Sequence, residues 1–214
     1  MIIQINKYVT QANNGIIGCF AITEHVAGVF SGMRLDTIAE YQKESNTFLL
    51  NGSKNWISLG LQAKYGVIIA DLLFNKEKLG AHAFIVNLSS EGITRKPVLS
   101  KACLQGLDNA QIFFSDVIIP ASSLLSKYTE IIDGKYVKKD PKYSFLTIAN
   151  RLQSGRICIA SAAISLTQNE INKCTNYARK KEIAIDKTNT VRMIDLPRIK
   201  ESFTKFNNEI KKIN

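Results

Sequence analysis

Between Ile16 and Pro120 short apolar or alternating runs are parted by turn residues, the pattern of half-buried strands rather than of helices. The expected strands are 16–22, 36–41, 48–50, 67–73, 81–88, 93–98 and 110–119. Asn51-Gly52, Gly80 and Gly92 are expected to mark turns, and Pro120, which has no amide to give a ladder, to close the last strand. Strands this short at this spacing predict an antiparallel β-barrel or sandwich.

Beyond Pro120 the period changes. Residues 128–142, rich in Lys, Asp and Gly, read as a loop. Ile157, Ala160, Ile164, Thr167, Ile171, Cys174 and Ala178 then recur at steps of three and four, which sets them on one face of a helix with small residues where another helix can come close. A loop over 186–190 leads to a second helix, roughly 195–212, striped by Ile199, Phe203, Phe206 and Ile210. Pro197 falls in its first turn, where an absent N–H is harmless. Two helices cannot cover both stripes, so partner helices or a second copy are expected. The fold class is therefore α+β: an antiparallel β-barrel or sandwich followed by two long helices of an incomplete helical bundle.

Composition supports a buried core, with 45% hydrophobic and 21% charged residues in 214. The net charge of +10 is lopsided, +1 over residues 1–120 and +9 over 121–214. Such a basic half suits the phosphates of CoA or a dinucleotide, nucleic acid, or simply water. Nucleic acid is disfavoured, because the basic residues are not interleaved with stacking aromatics and no recognition motif is present. Cys19, Cys103, Cys158 and Cys174 form no CxxC and do not group with His25 or His82, which argues against structural zinc and a disulfide framework. Each cysteine is expected to pack as a small hydrophobe, and His82, in an apolar run, to be packed and hydrogen bonded. No run has transmembrane length, and neither a signal peptide nor a Ser-Lys-Leu address is visible. HExxH, P-loop, GxGxxG and nucleophile-elbow motifs are missing.

Two segments carry more specific chemistry: Gly18-Cys-Phe-Ala-Ile-Thr-Glu24 and Asn51-Gly-Ser-Lys-Asn-Trp-Ile-Ser58. With Ala27-Gly28 and the segments 36–39, 81–86, 106–110, 114–120 and 154–162, in that order, they resemble the acyl-CoA oxidase and dehydrogenase flavoprotein superfamily over about residues 16–177. Leu107-Asp-Asn-Ala110 and Asp133-Gly-Lys-Tyr-Val137 look more like the oxidase branch, whereas Trp56-Ile57-Ser58 looks more like the dehydrogenase form.

The resemblance implies FAD as cofactor. Phe20, Ile22 and Thr23 would run along the flavin's pyrimidine edge, Trp56 would pack beside the isoalloxazine, and the Ser58 hydroxyl would stand near N5. Gly28 would let backbone approach the cofactor or the CoA arm, with a plain turn glycine as the other reading. Core packing is the alternative for Trp56. Val29 stands where dehydrogenases carry a substrate-contacting serine, and Arg156 matches a family arginine that pairs with a phosphate or carboxylate, or forms an exposed salt bridge. Lys181 stands near the place of a family arginine that reaches a neighbouring subunit's cofactor.

The same resemblance implies four parts: a remnant of a helical domain over 1–15, a flavin-binding β-domain over 16–120, a linker loop over 121–142 and a partial helical domain over 143–214. The implied reaction turns a fatty acyl-CoA into a trans-2-enoyl-CoA with electrons passing to oxygen, in the peroxisome. The family's catalytic base is a glutamate in a later helical region, so no catalytic residue is assigned here; Glu24 belongs to the flavin motif. The chain alone is expected to be inactive or nearly so, completed by a homodimer mate, a second subunit or further segments. A rival from another class is a non-catalytic interaction or assembly protein whose basic helical half binds an anionic partner.

Overall fold

A computed structural model describes residues 2–25, 35–99, 101–125, 127–139 and 145–213. The chain divides into two units, residues 1–147 and 148–214. In the first, helix α1 (Ile2–Asn13) precedes the strands β1 (Gly18–Ala21), β2 (Ile38–Gln42), β3 (Thr47–Ser58), β4 (Tyr65–Phe74), β5 (Glu77–Asn87), β6 (Ile93–Pro97) and β7 (Asn109–Pro120). They form one curled, mostly antiparallel seven-stranded sheet, a half-barrel. β4 is its pivot. It pairs parallel with β1 over Tyr65–Ile68 and with β2 over Asp71–Leu73, and antiparallel with β5, while β2–β3, β3–β7 and β7–β6 are antiparallel. A hairpin of β8 (Thr129–Ile132) and β9 (Lys135–Lys138) follows.

Alternation builds the core. Phe48 and Leu50 of β3, Ile68, Ala70 and Leu72 of β4, Phe84 and Val86 of β5, and Ile112 and Phe114 of β7 all point inward and are buried. On β7 the period would then carry Val117 and Ile119 outward. One extra residue there, opposite the step from Leu50 to Gly52, resets the phase so that both stay buried. Asp116 takes the left-handed backbone at φ +51°, and the Asn51 amide holds it, donating to its carboxylate at 3.0 Å and accepting its N–H at 2.8 Å.

Several expected turns fall elsewhere. Asn51-Gly52 does not turn the chain: β3 runs straight through it, and Gly52, at φ +135°, is needed because a Cβ there would stand 2.6 Å from Thr37 Cα. Gly80 lies inside β5 at an irregularity in its pairing with β4, and the turn is made by Asn75 and Lys76, both at positive φ. Gly92 does turn, at φ +81°. Within 128–142, read as loop, the β8–β9 hairpin closes over Asp133-Gly134, both left-handed, the geometry a two-residue hairpin turn requires.

His82 is buried as expected. Its Nδ1 lies 2.8 Å from the Gly80 carbonyl and its Nε2 3.0 Å from the Tyr136 hydroxyl, so the hairpin is fastened to β5. With Nδ1 donating, Nε2 accepts from Tyr136; burial pulls the imidazole below its ordinary pKa, the Gly80 bond opposing. Cys19 is buried and its thiol is pushed up to about 11 by desolvation. Cys103, Cys158 and Cys174 are exposed, against the expectation of packed thiols.

In the second unit α2 (Phe145–Lys180, its first residues shared with the first unit) is followed by the hairpin β10 (Glu182–Ala184) and β11 (Thr190–Arg192) and by α3 (Pro197–Ile213). The expected stripe on α2 is covered only toward its end: Ala178 is buried, Ile164 and Ile171 are half-buried, and Ile157, Ala160, Thr167 and Cys174 are exposed. On α3, Ile210 is buried and Ile199 and Phe203 half-buried, but Phe206 is exposed and Asn207 takes the more sheltered place. Among the described residues no helix is long and apolar enough to cross a membrane.

Candidate cofactor site

Past the end of β1, residues Ile22, Thr23 and Glu24 lie against β3. The Asn55 N–H donates to the Thr23 carbonyl at 2.8 Å, and the Lys54 ammonium donates to the Ile22 carbonyl at 3.3 Å and to Glu24 Oε1 at 2.6 Å. Glu24 accepts two more bonds, from the N–H of Asp36 at 2.6 Å and of Thr37 at 3.1 Å. Both charged side chains are almost wholly buried, at 0% and 2% exposure. An interior carboxylate is tolerable only when its lone pairs are met, and here an ammonium and two amides meet them.

These contacts set the charge state. Burial alone would raise the Glu24 carboxyl, but the Lys54 and Thr37 hydrogen bonds and the Asp36 amide outweigh it and hold the group below the usual range. For Lys54 burial pulls the ammonium down, against the Glu24 carboxylate. Asp71, which these charges also reach, is pushed up by burial against the pull of Lys78.

Beyond Lys54, β3 bulges. Lys54 pairs with Ile112 but Ile57 pairs with Ala110, so β3 carries one residue more than β7 across this step. Strict alternation from an inward Lys54 would bury Trp56 and expose Ile57. The extra residue reverses this: Ile57 is 2% exposed and Trp56 50%, with Trp56 in the left-handed region at φ +61°. The buried Asn55 steadies the step by accepting the Trp56 N–H on its Oδ1 at 3.0 Å. Trp56 is therefore no core residue. Phe20, on the outer face of β1, is also open, at 43%.

Ser58 is exposed at the end of β3, where its oxygen accepts from the Asn109 amide at 3.2 Å. The following turn is clamped. Leu59 and Leu61 donate to the Asp108 carbonyl and carboxylate at 3.0 and 3.1 Å, and Arg95 donates to the carbonyls of Leu61 and Ala63 at 2.9 and 3.0 Å. The Thr23 side chain is half-buried, and its hydroxyl makes no hydrogen bond among the described residues.

Of the residues singled out from the sequence, Thr23 is bonded through its carbonyl to Asn55, the neighbour of Trp56, and Ser58 follows on the same strand. Ile22 turns its side chain into the core at 7% exposure, and its carbonyl is taken by Lys54. Gly28 and Val29 lie outside the described residues. Arg156 and Lys181 are exposed in the helical unit. Sequence reasoning missed the Glu24–Lys54 pair, Asn109 and the Arg95–Asp108 clamp. Lys54 and Asn109 do lie inside the segments quoted for the resemblance, which was the available signal.

Open aromatic rings and hydroxyls with hydrogen-bonding capacity to spare, on a backbone locked from beneath, suit a planar heteroaromatic group with a polar edge. Residues 19–117 match the acyl-CoA dehydrogenase middle domain. The peroxisomal acyl-coenzyme A oxidase 3 of Arabidopsis thaliana is 33% identical over 163 residues, 69% of this chain and 24% of that protein. The mitochondrial short-chain specific acyl-CoA dehydrogenase of Homo sapiens is 29% identical over 179 residues, 83% of this chain and 40% of that one. Among solved structures, acyl-CoA oxidase3 from Yarrowia lipolytica superposes with a TM-score of 0.81 at 25% identity, covering 94% of this chain and 31% of that one. Residues 19–117 thus match the middle domain of the acyl-CoA dehydrogenases, and the relatives and solved structures the chain resembles are acyl-CoA oxidases and dehydrogenases. The chain spans 24 to 40% of the length of these two curated relatives.

Proposed function

We propose that the chain holds FAD along the edge made by Phe20, Ile22, Thr23, Trp56 and Ser58, as the flavin-binding β-domain (16–120) and associated helices (143–214) of an acyl-CoA oxidase-like protein. The observation that carries this reading is the out-turned Trp56, an indole offered to solvent by a bulge whose neighbours are fixed by a buried ion pair. When bound, the flavin supplies the hydride-accepting chemistry. The protein's share is different: Trp56 and Phe20 give apolar surface that excludes water from a planar ring, and the hydroxyls of Thr23 and Ser58 address its polar edge. Gly28 is read with the cofactor, and Val29 and Arg156 with the fatty acyl-CoA.

The reaction served is oxidation of a fatty acyl-CoA to a trans-2-enoyl-CoA with electrons passing to oxygen. The oxidase branch and a peroxisomal address are favoured by the Arabidopsis relative's name. Glu24 takes no part in proton abstraction, because its carboxylate is buried and engaged by Lys54, Asp36 and Thr37. The chain by itself binds flavin and turns over little or no substrate, the base coming from a further helical segment or from a second subunit of different sequence. Reconstitution tests this. Chain incubated with FAD and passed through gel filtration is expected to keep yellow flavin, and Trp56→Ala or Thr23→Ala to lose it; colourless wild-type protein overturns the reading.

A further inference from the structure

We propose that Glu24 and Lys54 are positioning residues: their buried ion pair fixes the upstream edge of the β3 bulge and ties residues 22–24 to it, so that the out-turned Trp56 ring and the Thr23 hydroxyl keep one placement relative to each other. The inference rests on the flavin reading for its ligand but not for its geometry. A bulge is an extra residue that the ladder itself does not pin, and sliding it by one position exchanges the faces of every residue it passes. The register shift begins immediately after Lys54. Moving it to the other side of Lys54 would swing that side chain out of the core, off the Glu24 carboxylate at 2.6 Å and the Ile22 carbonyl at 3.3 Å. Glu24 cannot follow, because the N–H groups of Asp36 and Thr37 hold it from the other side.

The clamp also fixes the partner segment. Ile22 and Glu24 are bound by Lys54, and Thr23 between them by the Asn55 N–H at 2.8 Å. The Thr23 hydroxyl and the Trp56 ring are thus set by bonds to adjacent residues of β3. Stability is a poor explanation for the pair, since a buried ion pair is often replaceable by apolar groups at no loss, whereas fixing register is a role in which buried polar groups are attested. An apolar pair has no direction and would allow the bulge to slide.

The test uses the full chain, Lys54→Met, and the double variant Glu24→Gln/Lys54→Met, whose side chains are near-isosteric and neutral. Three quantities are read: the melting midpoint, the fluorescence anisotropy decay of Trp56 without ligand, and the affinity for FAD. The single variant should melt well below wild type. The double should recover to within about 3 °C, the shift of roughly one kcal/mol in a chain of this size. Trp56 should nevertheless show a fast depolarising component, and FAD affinity should fall about tenfold or more, the loss of one well-placed contact. A double variant with wild-type anisotropy and wild-type affinity overturns the proposal. Should the double fail to fold, Glu24→Gln alone, which keeps volume and one acceptor oxygen, is read in the same way: added Trp56 mobility supports the pair as a positioner and unchanged mobility overturns it. If wild type takes up no FAD, the flavin reading falls, and the ligand-free anisotropy still decides the positioning claim.

Discussion

The sheet unit and the helical unit treat their apolar side chains differently. In the first, buried hydrophobics run from Cys19 to Leu124 and form one core; in the second, Ala178 and Ile210 are the buried hydrophobics among the described residues, while Ile157, Ile159 and Leu166 stand about two-thirds exposed or more. A curled sheet covers itself, because the inward face of each strand meets the inward faces of others. A helix has only a stripe and needs another surface to cover it. The sheet unit therefore carries the stability that this chain can generate alone, and its site arises where it breaks its own pattern, at the bulge that turns Trp56 out.

Substitutions can break or sharpen that contrast. The largest effect is expected for Lys54→Met, which leaves the Glu24 carboxylate buried without its cation and should cost about 3–5 kcal/mol in denaturant unfolding. A loss under about 1 kcal/mol would mean that the interior is wetter than the geometry says. Gly52→Ala comes next, at about 1–3 kcal/mol, because the new methyl meets Thr37 backbone at 2.6 Å on a strand that cannot yield far.

A smaller, pH-dependent effect should separate wild type from Glu24→Gln. The folded carboxyl titrates below its unfolded value, so the stability it contributes is fully present above the unfolded range, about pH 4.3. It is lost as pH falls through the folded value. The melting advantage of wild type at neutral pH should accordingly shrink below about pH 4. Asp71, shifted the other way by burial, titrates in both proteins and largely drops out of the difference. A pH-independent gap would contradict the charged pair. The smallest effect belongs to the helical unit: Ile157→Ala, at 70% exposure, should change stability by no more than about 0.5 kcal/mol in thermal melts. A large loss there would erase the contrast between the units.

How far the molecule could be read in advance follows the range of the interactions involved. Period-two alternation marked the strands of the sheet, and the period of three and four marked both long helices, because those patterns are local. The Asp133-Gly134 hairpin was equally local, yet its abundance of Lys and Asp made it read as loop. Gly52 reads from the sequence as a turn glycine, but its reason, the approach of Thr37, is a long-range contact that no local pattern announces. The bulges share this property, since each depends on how β3 and β7 count against one another. Thr23, Trp56 and Ser58 were found through a resemblance. Glu24 reads from the sequence as part of the flavin motif and Lys54 takes no role of its own there; thirty positions apart, they become a pair only in the fold.

The most direct measurement follows the emission of Trp56, the one tryptophan in the chain, while FAD is added to the intact protein. Saturable quenching, with the indole then shielded from acrylamide, is the predicted result; emission and acrylamide access that remain unchanged at saturating FAD would contradict the claim that the out-turned edge holds a flavin.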